Sequence, residues 1–352
     1  GLIDEPVFTA YAGGSSVPGG SSVPGGSSVP GGSSVPDTEE PTEQPTEKPT
    51  EVKDVKATSI TLSKSTLALK VGGTETLTAT IAPANVTDKT VTWSTSNAKV
   101  ATVSNGTVKA VANGTATVTA KTANGKVATC TVTVTTDAAS IKLNKKSLKL
   151  EYKGTATLKA TVTPDTTTDA AVTWSSSNAK VASVNANGKV TAKKNGTATI
   201  TAKTANGKTA TCKVTVKSTV KLNSKSTVLQ IKKSSTALKV ASKSSSKDAI
   251  ASVKSSNTKV LKVSVKGNKI TMKAQKKTGT AKVTVTMKSG AKATCSVKVQ
   301  KGKVVTKKLT LSSKKLALQK GKKATLTVTR NPITATEKLT WTSSNKKVAT
   351  VD

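Results

Sequence analysis

The chain has 352 residues, of which 34% are hydrophobic and only 2% aromatic, and it carries a formal net charge of +38. It contains no histidine, which removes the usual general base, catalytic-triad partner and zinc ligand. No apolar run approaches the ~18 residues of a membrane helix, so we expect no membrane insertion, and no signal peptide opens the chain.

The first 54 residues are predicted not to form a domain. Residues 1–12 are too short to fold and are interpreted as the remnant of an upstream region. The six-residue unit GGSSVP then occurs four times from Gly13 to Pro36, and PTEQPTEKPTEV follows from Pro41 to Val52. These compositions predict a flexible linker over 13–54, whose proline-rich dozen would span roughly 37 Å in the polyproline form. Because the first residue is not methionine, we expect the chain to be a segment of a longer protein.

A thirteen-residue motif recurs through the remaining residues. VTWSTSNAKVATV at 91–103 returns as VTWSSSNAKVASV at 172–184 and as LTWTSSNKKVATV at 339–351. A weaker copy, ASVKSSNTKVLKV at 251–263, has Val253 in place of tryptophan. Such recurrence indicates tandem folding units. Apolar and polar residues alternate around each indole as in a strand with one buried face, so we predict that Trp93, Trp174 and Trp341 are core anchors.

Turn chemistry predicts the hairpins that follow the motif. In the first unit, a two-residue turn at Asn105-Gly106 sets Val103 opposite Val108, so that inward residues meet. The last hairpin requires a three-residue loop instead. Residues 123–125, Ala-Asn-Gly, place Val118 opposite Cys130 with glycine in the left-handed bulge position, and the same arrangement at 205–207 sets Ile200 opposite Cys212.

Four units are predicted: 55–136, 137–217, a divergent 218–300, and a truncated 303–352. In the third, a Gly267-Asn268 turn pairs Val265 with Ile270, and loss of the indole suggests a less well filled core and the least stable complete unit. The fourth stops before the last hairpins, so we expect exposed apolar faces and frayed packing.

No residue is nominated for a catalytic, cofactor-binding or metal site, and no cofactor is expected. Each complete unit has one cysteine, Cys130, Cys212 or Cys295, which cannot form a disulfide within its unit and should point into the core as a small hydrophobe. The ten acids beyond residue 51 are scattered, without calcium-loop spacing. Gly-Gly and Asn-Gly pairs are predicted to be turns between strands, since no helix follows them to form a phosphate cradle. The chain is therefore predicted not to be an enzyme.

The charge is divided unevenly along the chain. Residues 1–51 hold eight acids and one lysine, or −7, whereas residues 52–352 hold ten acids against 55 lysines and arginines, or +45. Such a field attracts anionic polymers. Specific nucleic-acid binding is not expected, because arginine forks and stacking aromatics are nearly absent. A solvated lysine surface and weak binding to an anionic cell-wall polymer or a host glycan or protein both remain open, and no obligate oligomer is implied.

Short alternating strands with regular turn signals predict an all-β chain of tandem, two-sheet antiparallel sandwiches of immunoglobulin type. The series ITLSKSTLALKVGGTETLTATIAP, VTWSTSNAKVATV, GTVKAVANGTATVTAKT and CTVTV resembles the group 2 bacterial immunoglobulin-like domain, related to the surface repeats of intimin and invasin. The resemblance covers residues 55–352 and implies a secreted or cell-surface bacterial protein.

What the resemblance implies about function is a non-catalytic stalk, spacer or cell-adhesion module outside the cell, at the surface or in the cell wall. Two alternatives are kept. The repeats could bind a glycan or cell-wall polymer, or they could be the C-terminal accessory region of a secreted enzyme whose catalytic domain precedes Gly1. Salt-sensitive binding separates the first alternative from the stalk, and the upstream coding sequence decides the second.

Overall fold

The computed structural model describes residues 53–352, which form strands, turns and loops without a helix. No helix of membrane-spanning length and hydropathy occurs in that range. The predicted remnant at 1–12 and nearly all of the predicted linker at 13–54 lie outside the described residues. The predicted fold class, an all-β array of tandem immunoglobulin-like sandwiches with three complete units and one truncated, is confirmed.

Nine strands build each of the three complete units, and two strands belong to the fourth. The first unit contains β1 Ser59–Leu62, β2 Thr66–Lys70, β3 Thr74–Thr76, β4 Ala79–Ala82, β5 Val91–Thr95, β6 Ala101–Ser104, β7 Thr107–Ala110, β8 Gly114–Thr122 and β9 Val127–Thr135. The second contains β10 Ser140–Leu143, β11 Ser147–Leu150, β12 Thr155–Thr157, β13 Ala160–Thr163, β14 Val172–Ser176, β15 Ala182–Val184, β16 Lys189–Ala192, β17 Gly196–Thr204 and β18 Thr209–Val216. The third contains β19 Val220–Leu222, β20 Ser226–Gln230, β21 Ser234–Ser235, β22 Val240–Lys243, β23 Ile250–Ser255, β24 Leu261–Lys266, β25 Lys269–Ala274, β26 Gly279–Met287 and β27 Lys292–Gln300. The fourth contains β28 Lys308–Leu311 and β29 Val328–Asn331.

The strands of each complete unit pack as two layers. In the first unit, one layer is the four-stranded sheet β2-β9-β8-β5, and the other combines the sheet β3-β7-β6 with the pair β1-β4. The second and third units repeat this order. One expectation was wrong: the sandwich is not wholly antiparallel, because β2 pairs with β9 in parallel, as β11 does with β18 and β20 with β27. Side-chain alternation fixes which face is buried but does not specify the direction of the neighbouring strand.

The predicted hairpin registers are confirmed. Val103 lies opposite Val108, Val118 lies opposite Cys130, and Val265 lies opposite Ile270. In each pair apolar side chains meet across the sheet. This register is favoured because a slip of one residue would turn every inward side chain of the strand to solvent. The turn residues Asn105 and Gly106 have φ of 46° and 82°, the left-handed values that a two-residue hairpin turn needs.

The indoles of the first two units pack at the edge of the core against the next hairpin. Trp93 and Trp174 are partly buried, and each contacts its unit's cluster of buried residues. A Cβ placed on Gly106 would lie 3.1 Å from Cζ2 of Trp93, and one on Gly188 would lie 2.8 Å from Cζ2 of Trp174. The turn glycine therefore leaves the space that the six-membered ring occupies.

The third unit has more buried core residues than the other two, and a cavity of about 500 Å³ borders its core at Ile270 and Met287, so the less well filled core stays a prediction. Its β24–β25 hairpin is two residue pairs longer than the β6–β7 hairpin, and the added Ile270 is only 1% exposed. The cluster of this unit has sixteen buried residues, whereas those of the first and second units have eleven each. Each fully buried aliphatic side chain contributes about 1.5–3 kcal/mol. Whether this unit is the least stable remains a prediction.

The fourth unit exposes apolar side chains, as expected. Leu309, Leu316 and Leu318 are about half exposed, and Val348 is 81% exposed. Trp341 is partly exposed and lies outside the strands and the three core clusters.

Candidate functional site: the junctions between units

The described residues bring no cluster of potential metal ligands together. In residues 53–352 no group of three or more cysteine, aspartate or glutamate side chains could hold a metal ion. The absence of catalytic, cofactor and metal sites remains a prediction.

The three cysteines lie inside their sandwiches, as predicted from parity. Cys130, Cys212 and Cys295 are free and fully buried. Burial raises the pKa of all three thiols and brings that of Cys295 to about 11. Since the thiolate is the nucleophile, these thiols are inert in the folded protein.

Unpaired lysines dominate the surface. Residues 53–352 contain 55 lysines and arginines and ten acids, yet just three ion pairs form among them: Lys64–Glu75, Lys70–Asp137 and Arg330–Glu337. Exposed pairs of this kind contribute at most about 1 kcal/mol. The positive field is therefore left uncompensated and available to an anionic partner.

The first junction is built around a loop asparagine. Asn113 precedes β8 of the first unit, and its Nδ2 donates to the carbonyl of Thr166 in the second unit at 2.6 Å. Its Oδ1 accepts from Oγ1 of Thr136, the connecting residue, at 2.7 Å. The amide of Thr136 donates in turn to Oγ1 of Thr168 at 2.9 Å. The connection is thus held by side chains on both sides.

An equivalent asparagine holds the second junction. Nδ2 of Asn195 donates to the carbonyl of Ser218 at 2.9 Å, and its Oδ1 accepts from the Ser218 amide at 2.8 Å. The amide of Asn195 donates to the carbonyl of Ser289 in the third unit at 2.7 Å. Ser218 is 3% exposed, so these bonds are shielded from competing water.

At each junction an equivalent loop of the following unit contacts the preceding unit, and at the first junction this contact is the bond from Asn113 described above. Thr166 supplies a carbonyl at the first junction, and Oγ of Ser245 donates to the carbonyl of Tyr152 at 2.7 Å at the second. At the third, Oγ1 of Thr334 donates to the carbonyl of Val228, while Ile333 packs against the core of the third unit. The second, third and fourth units therefore contact the preceding unit through equivalent loops.

Sequence reasoning missed these junction residues. The signal was present, because Asn-Gly recurs at 113–114 and 195–196 at the start of equivalent strands. The prediction of a turn at each Asn-Gly pair describes the backbone but not the use of the amide side chain. The third unit has Gln275 to Gly279 at this place, without the asparagine.

Most of the chain matches a known family of domains. The model of the bacterial Ig-like domain (group 2) matches residues 56–132, 137–214 and 305–352. An uncharacterised protein of Clostridium acetobutylicum is 36% identical over 145 residues. That match covers 40% of this chain and 15% of the relative, so the chain spans only a small part of its relative's length.

Two solved structures illustrate the similarity at low identity. The C-terminal 282-residue fragment of intimin, in complex with the intimin-binding domain of its translocated receptor, is 22% identical, with 49% of this chain and 69% of that chain covered and a TM-score of 0.28. Domains 4 and 5 of the S-layer protein SbsC are 21% identical, with 46% of this chain and 99% of that chain covered and a TM-score of 0.23.

Proposed function

Because the chain belongs to the bacterial Ig-like domain (group 2) family, we propose that it is a non-catalytic extracellular module of a bacterium. Its tandem units act as a spacer that holds a functional domain at a set distance from the cell surface or wall.

The observation that carries the spacer role is the hydrogen bonding at the junctions. A polar connection without contacts behaves as a flexible coil, whose mean length grows only with the square root of residue number. Here the connecting residues Thr136 and Ser218 are bonded to Asn113 and Asn195, and those asparagines also contact the next unit. Such bonds oppose bending at each connection, which a spacer requires.

The chemistry of the buried groups supports a non-catalytic role. The thiols are sealed in the cores with raised pKa values, and a catalytic nucleophile needs the opposite environment. The sequence also has no histidine for general acid–base work.

Distance measurement between units tests the spacer role. Spin labels on the exposed positions Lys126→Cys and Lys208→Cys report the first junction by pulsed electron resonance, since the native thiols stay sealed. We expect one narrow distance distribution that broadens in Asn113→Ala and stays narrow in the control Asn97→Ala, whose side chain bonds only within its own turn. A parent distribution as broad as that of Asn113→Ala refutes the spacer role.

The lysine surface supports a second candidate function, binding to an anionic surface polymer. Only three of the 55 cations in residues 53–352 lie in ion pairs. We expect binding to acidic polymers that weakens steeply between 50 and 200 mM salt, on the order of tenfold or more if several contacts form. Absence of binding at low salt excludes this function and leaves the spacer role untouched.

A further inference from the structure

A cleft of about 540 Å³ lies at the second junction, where the second and third units meet. The third unit contributes one lining residue and the second unit the others: Lys247, together with Tyr152, Lys153, Thr191, Ala192 and Lys193. We propose that this cleft, which we call the junction cleft, binds an acidic polysaccharide. The proposal rests on the polymer-binding candidate, to which it assigns a site, and is independent of the spacer role.

Two hydrogen bonds hold the backbone of Tyr152 at the junction. Its amide donates to Oγ of Ser218 at 2.8 Å, and its carbonyl accepts from Oγ of Ser245 at 2.7 Å. The side chain is partly exposed, and apart from the three tryptophans it is the only aromatic residue in 53–352. An aromatic ring with a polar tip, on a backbone held by two hydrogen bonds, offers an apolar face to a pyranose ring.

Lys153 has a backbone conformation that favours glycine. Its φ is 59°, whereas the equivalent residue of the first unit is Gly72 with φ of 84°. The third unit has Lys232 at the equivalent position with φ of 62°, so the left-handed conformation is a feature of the repeated turn, and it is the position of Lys153 beside Tyr152 that concerns the cleft. Nζ of Lys153 lies 5.7 Å from the centre of the Tyr152 ring, so charge and aromatic face are presented together.

The charge in the cleft is uncompensated. Lys153, Lys193 and Lys247 take part in none of the ion pairs formed among residues 53–352. The acid next to Lys247 is turned inward: Asp248 is 1% exposed, and its Oδ1 accepts from the amides of Ala249 and Ser289. Three lysines without a carboxylate among the lining residues attract an anion and give a neutral sugar no advantage.

The first junction lacks these groups and serves as an internal control. Val71, Gly72 and Val111 occupy the positions of Tyr152, Lys153 and Lys193, and both valines are 44% exposed. The volume of the junction cleft is within the range of small-molecule sites. A ligand class that combines the apolar C–H face of a pyranose with repeated negative charge is a polysaccharide of uronic acid residues.

The test titrates the full chain with a hexasaccharide of alternating glucuronate and N-acetylglucosamine at 150 mM salt. Chitohexaose is the neutral probe and poly(glycerol phosphate) the phosphate probe. We expect saturable binding of the acidic hexasaccharide, at least tenfold weaker binding of chitohexaose, and no saturable binding of the phosphate polymer. Equal binding of the neutral probe, or binding of the phosphate polymer alone, overturns the proposal.

Variants separate the cleft from the general field. We expect Tyr152→Ala to weaken binding about tenfold, Tyr152→Phe to retain it, and the triple variant K153A/K193A/K247A to abolish it. The charge-matched triple K99A/K180A/K259A, on exposed positions outside the cleft, should change affinity less than twofold. Equal weakening by the two triples overturns the site while the polymer-binding function stands, and absence of all polyanion binding at low salt removes both.

Lys153→Gly keeps the left-handed backbone and removes the amine. We expect it to weaken binding at least threefold without lowering the melting temperature. A loss of binding that is always accompanied by a loss of thermal stability would mean that the variants damage the junction rather than the binding site, and would overturn the proposal.

Discussion

Replacing Gly106 by alanine should destabilise the first unit far more than the same change at Gly125. Both glycines have left-handed backbones, with φ of 82° and 88°. A Cβ on Gly125 would meet nothing within 4 Å, whereas one on Gly106 would lie 2.5 Å from the carbonyl oxygen of Leu77 and 3.1 Å from Trp93. The pair therefore separates the cost of backbone conformation from the cost of close packing.

The magnitude follows from these contacts. Placing alanine in the left-handed region costs about 1 kcal/mol, which is the whole effect expected at Gly125. At Gly106 the turn must also move away from Leu77, whose amide donates to the Gly106 carbonyl at 2.8 Å. Losing that bond adds about 1–3 kcal/mol, and displacing the indole adds about 1 kcal/mol. The sum, about 3–5 kcal/mol, is a large part of the stability of a small domain.

Hydrogen exchange followed by mass spectrometry measures this cost in the intact chain. Peptides from β3 to β7 report the opening free energy of the first unit, and peptides from the second and third units are the internal reference. We expect Gly106→Ala to lower that free energy by about 3–5 kcal/mol and Gly125→Ala by about 1 kcal/mol. Equal losses for the two variants would refute the role of close approach at this turn.

Three further predictions concern buried or bonded polar groups. Asp248→Ala should lower the opening free energy of the third unit by about 2–4 kcal/mol, because the Ala249 and Ser289 amides lose their acceptor. Hydrogen exchange measures this free energy, and an unchanged exchange rate contradicts the prediction. Cys295, with its pKa raised to about 11 by burial, should resist iodoacetamide at pH 8.5 in the folded chain and react fully in denaturant, so fast labelling of the native chain is the contrary result. Hydrogen bonds from Thr306 hold the pKa of Glu337 at about 2, below its usual 4.5. The stability that these bonds give the folded chain is complete above pH 4.5 and is lost as pH falls through 2. A carboxyl titration by NMR should show a midpoint near 2 that disappears in Glu337→Gln, and a midpoint near 4.5 contradicts the prediction.

Local chemistry explains which parts of the fold were predictable. Asn105-Gly106 and Gly267-Asn268 fix the hairpin geometry by their backbone preferences, and the alternation of apolar residues then fixes the register. Cys130 could be placed inward because its parity matches that of its apolar neighbours. These inferences need only residues close together in sequence.

The structural features that were not predicted from the sequence depend on contacts between residues far apart in the chain. Alternation does not show that β2 joins β9 in parallel, since strand direction is set by the path of the chain between them. Nor does it show that Asn113 reaches Thr166 across a junction, because a loop asparagine satisfies turn and interface requirements equally well. Lys153 gave no signal, since its left-handed backbone appears only in the folded unit.

The added residues of the β24–β25 hairpin alter how the tryptophan motif can be used. In the third unit, the lengthened hairpin adds Ile270 to the buried cluster, while Val253 faces Val285 where Trp93 faces Ala120. The tryptophan is thus not required for the nine-strand unit to form. A search for such domains by the tryptophan alone would therefore pass over the third unit, which builds the same nine strands with valine at that position.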